Sequence, residues 1–171
     1  METDLSLKQA QAASSAIQQP DTLLLAIGNS ARQDDGLGWA FMKALQQTNR
    51  FQGQLQACYQ LQIEDAELIT RFPRVIFVDA TSESLPDGFS WENVRPQNDF
   101  TFTTHALTPM AVLYLCQDLY NKHPEAYLLK IQGEQWELQT GLSPNAKENL
   151  NKAIHFFAQL QVGTKPIKQE S

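Results

Sequence analysis

The chain has 171 residues, of which 42 % are hydrophobic and 19 % carry a charged side chain. This length and apolar content suit one globular domain with a sizeable core. The net charge of −6 argues against nucleic acid or an anionic membrane as a partner, because both favour a basic surface. No stretch approaches the roughly 20 consecutive apolar residues that cross a bilayer, so no transmembrane segment is expected.

The two ends of the chain differ in composition from the part between them. Residues 1–20 are rich in Gln, Ala and Ser, and are either a frayed tail or a marginal helix. We expect a flexible N-terminal extension (1–20), one α/β domain (21–162) and a polar C-terminal tail (163–171). Acidic residues stand where a signal peptide needs positive charge, which indicates a cytoplasmic protein.

Strand and helix patterns alternate between these tails. Apolar or alternating runs predict strands at residues 22–27, 54–62, 74–80, 89–96 and 126–133, with 89–96 at an edge of the sheet. Helices are predicted at residues 36–47 and 64–71, and two further helices are predicted to begin at residues 109 and 144. The alternation predicts an α/β fold: a three-layer sandwich whose twisted, mostly parallel sheet of about five strands has helices on both faces.

Two helix starts carry the same local signal. Thr108 and Ser143 are good N-cap residues, and each precedes a proline that suits the first helical position. Pro124 is predicted to mark the end of the first of these two helices.

Acidic residues follow two of the predicted strands. Asp34 and Asp35 lie after the first strand, where they either start a helix or hold a metal ion. Asp79 ends the wholly apolar run VIFV, and a carboxylate there needs a backbone N–H, a cation or a metal as partner. It either caps the turn-like loop that follows or faces Asp35 across the carboxyl edge of the sheet, where open parallel sheets bind ligands.

Among the three histidines, His105 lies in a threonine-rich loop before a helix start. His123 and His155 are assigned to a helix end and to the edge of an apolar helix stripe. Asp35, Asp79 and His105 together form a plausible metal site with open positions. Spacing alone does not establish it, because any α/β protein contains such residues.

Other site types fit less well. The loop after the first strand lacks the spacing G-x-G-x-x-G, and no phosphate-binding G-x-x-x-x-G-K-[ST] is present, so no nucleotide cofactor is expected. G-x-S-x-G and H-E-x-x-H are also missing. Cys58 and Cys116 are interpreted as unpaired thiols in apolar runs, without the surroundings of a nucleophile.

One pattern in the sequence is more specific than the set of Asp35, Asp79 and His105. An apolar strand leads to Ala26-Ile27-Gly28-Asn29, a four-residue spacer, and then Asp34-Asp35-Gly36-Leu37-Gly38. Further along are an aspartate that ends an apolar strand (VIFVDA), a histidine before a helix (THALTP) and a GLSP segment before the last helix. In these features residues 23–160 resemble the hydrogenase maturation proteases, endopeptidases that trim the large subunit of [NiFe] hydrogenases.

The resemblance implies a function and a set of site residues. The substrate would be a nickel-loaded large-subunit precursor that loses a C-terminal extension, with nickel supplied by the substrate. Asp35, Asp79 and His105 would complete the metal coordination, and the two aspartates are the catalytic candidates, with the general base unassigned. The supporting loop would comprise Gly28, Asn29, Asp34 and Gly36, with Gly28 and Gly36 letting the backbone turn tightly around Asp35.

The sequence also departs from the family pattern. Residues 60–63 replace a D-G-G-T-like stretch that is thought to shape substrate recognition, Ala26 replaces a glycine, and Asp35 stands where some members carry glutamate. An alternative is a non-catalytic α/β module that binds a hydrogenase subunit or a metal, and a third option is a small-molecule enzyme. The oligomeric state stays open, with a monomer as one option.

Overall fold

The computed structural model describes residues 20–49, 51–99 and 106–162. The predictions for residues 1–19, for the tail 163–171 and for His105 lie outside these ranges. The five described strands are β1 Thr22–Ile27, β2 Gln54–Cys58, β3 Arg74–Thr81, β4 Phe89–Val94 and β5 Glu125–Gln132. The described helices are α1 Leu37–Thr48, α2 Ile63–Ile69, α3 Pro109–Tyr120 and α4 Pro144–Val162, and a 3₁₀ segment covers Ser30–Gly36.

The strands form one sheet in the order β2-β1-β3-β5-β4. All neighbouring pairs are parallel except β4 with β5, which places the antiparallel strand at an edge, as predicted. The chain leaves β1 towards β2 and then returns past β1 to β3. The order therefore reverses between the carboxyl ends of β1 and β3, which is where α/β sheets of this type bind ligands.

Helices cover both faces of the sheet, which confirms the α/β sandwich. On one face α1 and α4 meet through Phe41 and Phe157, whose rings contact edge to face at 5.4 Å between centroids. On the other face α2 and α3 pack over a second apolar cluster that includes Phe77 and Leu128. Because side chains alternate along a strand, Asp79 projects towards the α2–α3 face, as Phe77 does.

Some predicted boundaries are wrong. Strand β2 ends at Cys58 rather than at residue 62, and Gln62 is instead the N-cap of α2, with its N–H bonded to the Asp65 carboxylate at 2.7 Å. Helix α3 ends before Asn121, whose φ of 53° is left-handed, so Pro124 lies beyond the end. The 3₁₀ segment was not predicted.

Both predicted helix starts are confirmed. The Thr108 hydroxyl accepts a hydrogen bond from the N–H of Ala111 at 3.1 Å, at the start of α3. The Ser143 hydroxyl accepts one from the N–H of Ala146 at 3.2 Å, at the start of α4. These caps fix where each helix leaves the loops that border the carboxyl edge of the sheet.

Candidate functional site

The loop after β1 folds back on itself over the carboxyl end of the sheet. The N–H of Asn29 donates to the backbone carbonyl of Asp35 at 3.0 Å. Gly28 has a φ of 145°, and a Cβ atom there would stand 2.0 Å from that carbonyl oxygen. Gly36 has an ordinary φ of −83°, but a Cβ atom on it would lie 2.9 Å from the Cα of Ser30. The first glycine therefore permits the turn, whereas the second permits close approach of two backbone segments.

Asp34 is fully buried and binds the loop between β5 and α4, residues 133–143 (the β5–α4 loop). Its carboxylate accepts hydrogen bonds from the backbone N–H groups of Glu134 (2.8 Å), Gln135 (2.9 Å) and Ser143 (2.8 Å). The Ser143 hydroxyl donates a fourth bond at 2.7 Å. Burial alone raises the pKa of a carboxyl, but these bonds hold the pKa of Asp34 below its usual value.

Asp34 is therefore a structural residue. The N-cap of α1 is Gly36 and not Asp34, so the expectation that Asp34 starts the first helix is wrong. Asp34 instead fixes the loop by accepting backbone N–H bonds, which agrees with its predicted place in the supporting loop. The sequence did not indicate that the donors lie about a hundred residues away.

Gln33 fixes the same loop from a strained backbone position. Its φ of 49° and ψ of −116° are uncommon for a residue with a side chain. Its N–H donates to the carbonyl of Gln139 at 2.8 Å, and its side-chain oxygen accepts from the N–H of Glu137 at 2.9 Å. These contacts hold the 3₁₀ segment against the β5–α4 loop and so set the position of Asp35, two residues further on.

Asp35 and Asp79 both lie at the carboxyl edge where the strand order reverses, near enough for the charge of Asp35 to act on Asp79. Burial raises the pKa of Asp79 to about 7, an N–H from Ala80 at 2.8 Å opposes the shift, and the charge of Asp35 adds to it. Burial also raises the pKa of Asp35, opposed by the charge of Arg32 and the N–H of Asn29. The two carboxylates thus repel each other in a half-buried position, an arrangement that a bound cation would stabilise.

Cys58 lies on the same side of the sheet, at the end of β2. Burial, together with the negative charges of Asp65 and Asp79, raises the pKa of its thiol to about 12. The thiol is therefore protonated at neutral pH and is a poor nucleophile, as expected from the sequence. Its closeness to Asp79 was not predicted, although the last residue of a strand beside β1 always lies at this edge.

The residues that follow His105 lie on the face of the sheet towards which Asp79 projects. Leu107 packs against the apolar cluster beneath α2 and α3, and its N–H donates to the carbonyl of Leu61 at 3.4 Å. Within residues 20–49, 51–99 and 106–162, no group of three or more His, Cys, Asp or Glu side chains is placed to hold a metal ion. The described residues thus contribute Asp35 and Asp79 of the predicted trio.

Exposed apolar side chains lie just after Cys58, the last residue of β2. Tyr59 and Ile63 are 69 % and 62 % exposed, and the ring of Tyr59 contacts that of Trp39 at 5.2 Å between centroids. Beside Trp39, a cavity of about 370 Å³ opens between the 3₁₀ segment, α1 and the β5–α4 loop, with Ala40 and Leu142 in its lining. Of the residues 60–63 that replace the D-G-G-T-like stretch, Ile63 contributes an exposed apolar side chain to this surface, whereas Leu61 is buried.

No family model matches the chain, and no curated protein matches it in sequence. Its structure is similar to that of the [NiFe] hydrogenase maturation protease HycI from Thermococcus kodakarensis KOD1, with a TM-score of 0.66 and 18 % identity over 88 % of this chain and 98 % of that one. The hydrogenase maturating endopeptidase HybD from E. coli gives a TM-score of 0.63 at 18 % identity, over 78 % and 87 % of the two chains. HybD from Thermococcus kodakarensis gives 0.61 at 19 %, over 82 % and 98 %.

These likenesses extend over nearly the whole length of the similar proteins, at identities at which they establish the fold alone. None of the helices in the described part of the chain has the length and apolar character to span a membrane. The chain has the α/β fold of the hydrogenase maturation proteases.

Proposed function

We propose that the protein is an endopeptidase that removes the C-terminal extension of a [NiFe] hydrogenase large-subunit precursor after nickel has been inserted. The observation that carries this proposal is the placement of Asp35 and Asp79 at the reversal of strand order, where the charge of Asp35 raises the pKa of Asp79. The similarity in fold to proteins named as hydrogenase maturation proteases supports it.

Nickel belongs to the substrate in this proposal. Asp35, Asp79 and His105 would complete its coordination, so that binding depends on whether the precursor carries the metal. The bound nickel would polarise the scissile carbonyl and a water molecule. Asp79 fits such a role physically, because the cation would offset both its burial and its repulsion with Asp35.

The chain's own residues would do the remaining work. Gln33 and Asp34 fix the 3₁₀ segment and so hold Asp35 at the carboxyl edge. The exposed side chains of Tyr59 and Ile63, just after the end of β2, would offer the precursor an apolar contact surface. Because Ile63 is one of the residues that replace the D-G-G-T-like stretch, this surface would also set which precursor is accepted.

Incubation of purified precursor with the protein tests the proposal. The nickel-loaded precursor should become shorter on a denaturing gel, mass spectrometry should locate one new C-terminus, and the nickel-free precursor should keep its length. Asp35→Asn, Asp79→Asn and His105→Ala should remain folded without cleaving, whereas Asp118→Asn, a matched change at an exposed position on α3, should cleave normally.

Two results would contradict the proposal. If the wild-type protein binds the nickel-loaded precursor and leaves its length unchanged, the protein is a non-catalytic binding module. If Asp79→Asn cleaves at the wild-type rate, the assignment of the site is wrong.

A further inference from the structure

Asp79 has a lysine as its direct neighbour in the sheet. Strands β3 and β5 are parallel, and Asp79 is in register with Lys130. Neighbouring strands lie about 4.8 Å apart, and residues in register point to the same face. Both side chains therefore start from the α2–α3 face, and the four-carbon stem of a lysine is long enough to bring its ammonium to the Asp79 carboxylate.

Lys130 is nevertheless engaged with two other carboxylates. Its Nζ lies 2.9 Å from Glu83 Oε2 and 3.4 Å from Glu92 Oε1. Glu83 belongs to the turn after β3, and Glu92 to the edge strand β4, so the ammonium is drawn from two directions. Ser90, the register partner of Lys130 in β4, has a buried hydroxyl with no hydrogen-bond partner among the described residues, so it does not hold the ammonium.

The surroundings of Asp79 agree with this arrangement. Its carboxylate accepts the N–H of Ala80 at 2.8 Å, and the charge that acts on it is the negative one of Asp35. An ammonium at the same carboxylate would neutralise it and fill the space a metal ion needs. Because opposite charges attract more strongly in a buried position, Lys130 would move to Asp79 if neither glutamate held it.

We propose that Glu83 and Glu92 are positioning residues that hold the ammonium of Lys130 away from Asp79 and so keep the Asp79 carboxylate available to a cation. The inference about geometry stands on the strand register and the two ion pairs. Its link to cleavage rests on the proposed function. Glu83 and Glu92 act through Lys130 and touch neither substrate nor metal.

A crystal structure of the full-length Glu83→Gln/Glu92→Gln variant tests the geometry without any activity. We expect Lys130 Nζ within about 4 Å of an Asp79 carboxylate oxygen, the usual limit for an ion pair. An ammonium that stays beside residues 83 and 92, or that turns into solvent, would overturn the inference. The position of the ammonium can be determined even if the wild-type protein cleaves nothing.

Cleavage of the nickel-loaded precursor tests the consequence. In the double variant kcat/KM should fall by about tenfold or more, and addition of Lys130→Met should restore it, because the competing ammonium is then gone. A matched control, Asp21→Asn/Glu125→Gln, removes the two carboxylates around Arg74 at the other end of the same strands and should leave kcat/KM unchanged. A triple variant that is no faster than the double variant would show that Glu83 and Glu92 do not act through Lys130.

Discussion

Ser143 donates two hydrogen bonds to Asp34, one from its backbone N–H at 2.8 Å and one from its hydroxyl at 2.7 Å, across 109 positions of sequence. The same hydroxyl accepts the N–H of Ala146 at the start of α4. One buried carboxylate thereby joins the loop after β1 to the last helix. The neighbouring Asp35 makes no comparable set of bonds in the described part of the chain, so adjacent aspartates should respond oppositely to the same substitution.

Asp34→Asn should lower the free energy of unfolding by about 2–4 kcal/mol, because an amide would turn a donor towards groups that all donate. Urea unfolding at pH 7 measures the change. Asp35→Asn is the matched control and should be as stable as the wild type or more so, since burial of the Asp35 carboxylate raises its pKa. Equal losses in the two variants would contradict the division of roles.

Asp79→Asn should be more stable than the wild type at pH 8. The pKa of Asp79 is raised from 3.8 to about 7, so between these values the folded protein keeps a proton that the unfolded chain has lost. This group therefore makes the wild type less stable as pH rises through that window. We expect a gain of at least about 1 kcal/mol at pH 8 and little difference at pH 4, from guanidinium unfolding at both values. A variant less stable than the wild type at pH 8 would contradict the assignment.

Two substitutions of Gln33 distinguish the effect of backbone strain from the effect of its side-chain hydrogen bond. Gln33→Ala keeps the φ of 49° but loses the bond to the N–H of Glu137, and should cost about 1–2 kcal/mol. Gln33→Gly loses the same bond while relieving the strain, so it should be the more stable of the two by about 1 kcal/mol. Thermal unfolding of the pair measures the difference, and the reverse order would show that the backbone at Gln33 is unstrained.

Gly28→Ala should damage both stability and the position of Asp35, because a Cβ atom there would stand 2.0 Å from the Asp35 carbonyl. Gly141→Ala is the control: its φ of 106° is also positive, but a Cβ atom would meet nothing within 4 Å. Gly141→Ala should lower the free energy of unfolding by about 1 kcal/mol, which is the cost of the positive φ alone. Gly28→Ala should lower it by at least about 2 kcal/mol more. Urea unfolding of both variants tests this, and equal losses would show that the contact with Asp35 is relieved by a small shift.

Much of the fold could be predicted from the sequence, because each element carries a local signal. The apolar runs that became β1 and β3, and the Thr108 and Ser143 caps, depend on neighbours within a few residues. Ends without such a signal were misplaced: β2 stops at Cys58, before the N-cap Gln62 of α2, which an alternating pattern does not reveal.

The candidate site was predictable only as far as the topology allowed. Parallel strands bring their carboxyl ends to one edge, which is why Asp35 and Asp79 could be placed together before the structure was known. The partners of Asp34 and the ion pairs of Lys130 join segments 38 to 109 residues apart. No local pattern records such contacts, so they required the structure.

The link between Asp34 and Ser143 also has a consequence for the order in which the molecule folds. In a growing chain none of the four donors to Asp34 exists before residue 134 has been synthesised, and all four exist only after residue 143. Contacts this distant in sequence form late, after the strands between them have paired. Until then the loop that carries Asp35 lacks the hydrogen bonds that Asp34 makes to the β5–α4 loop, so a nascent chain, or one truncated before residue 143, would hold an incompletely formed site.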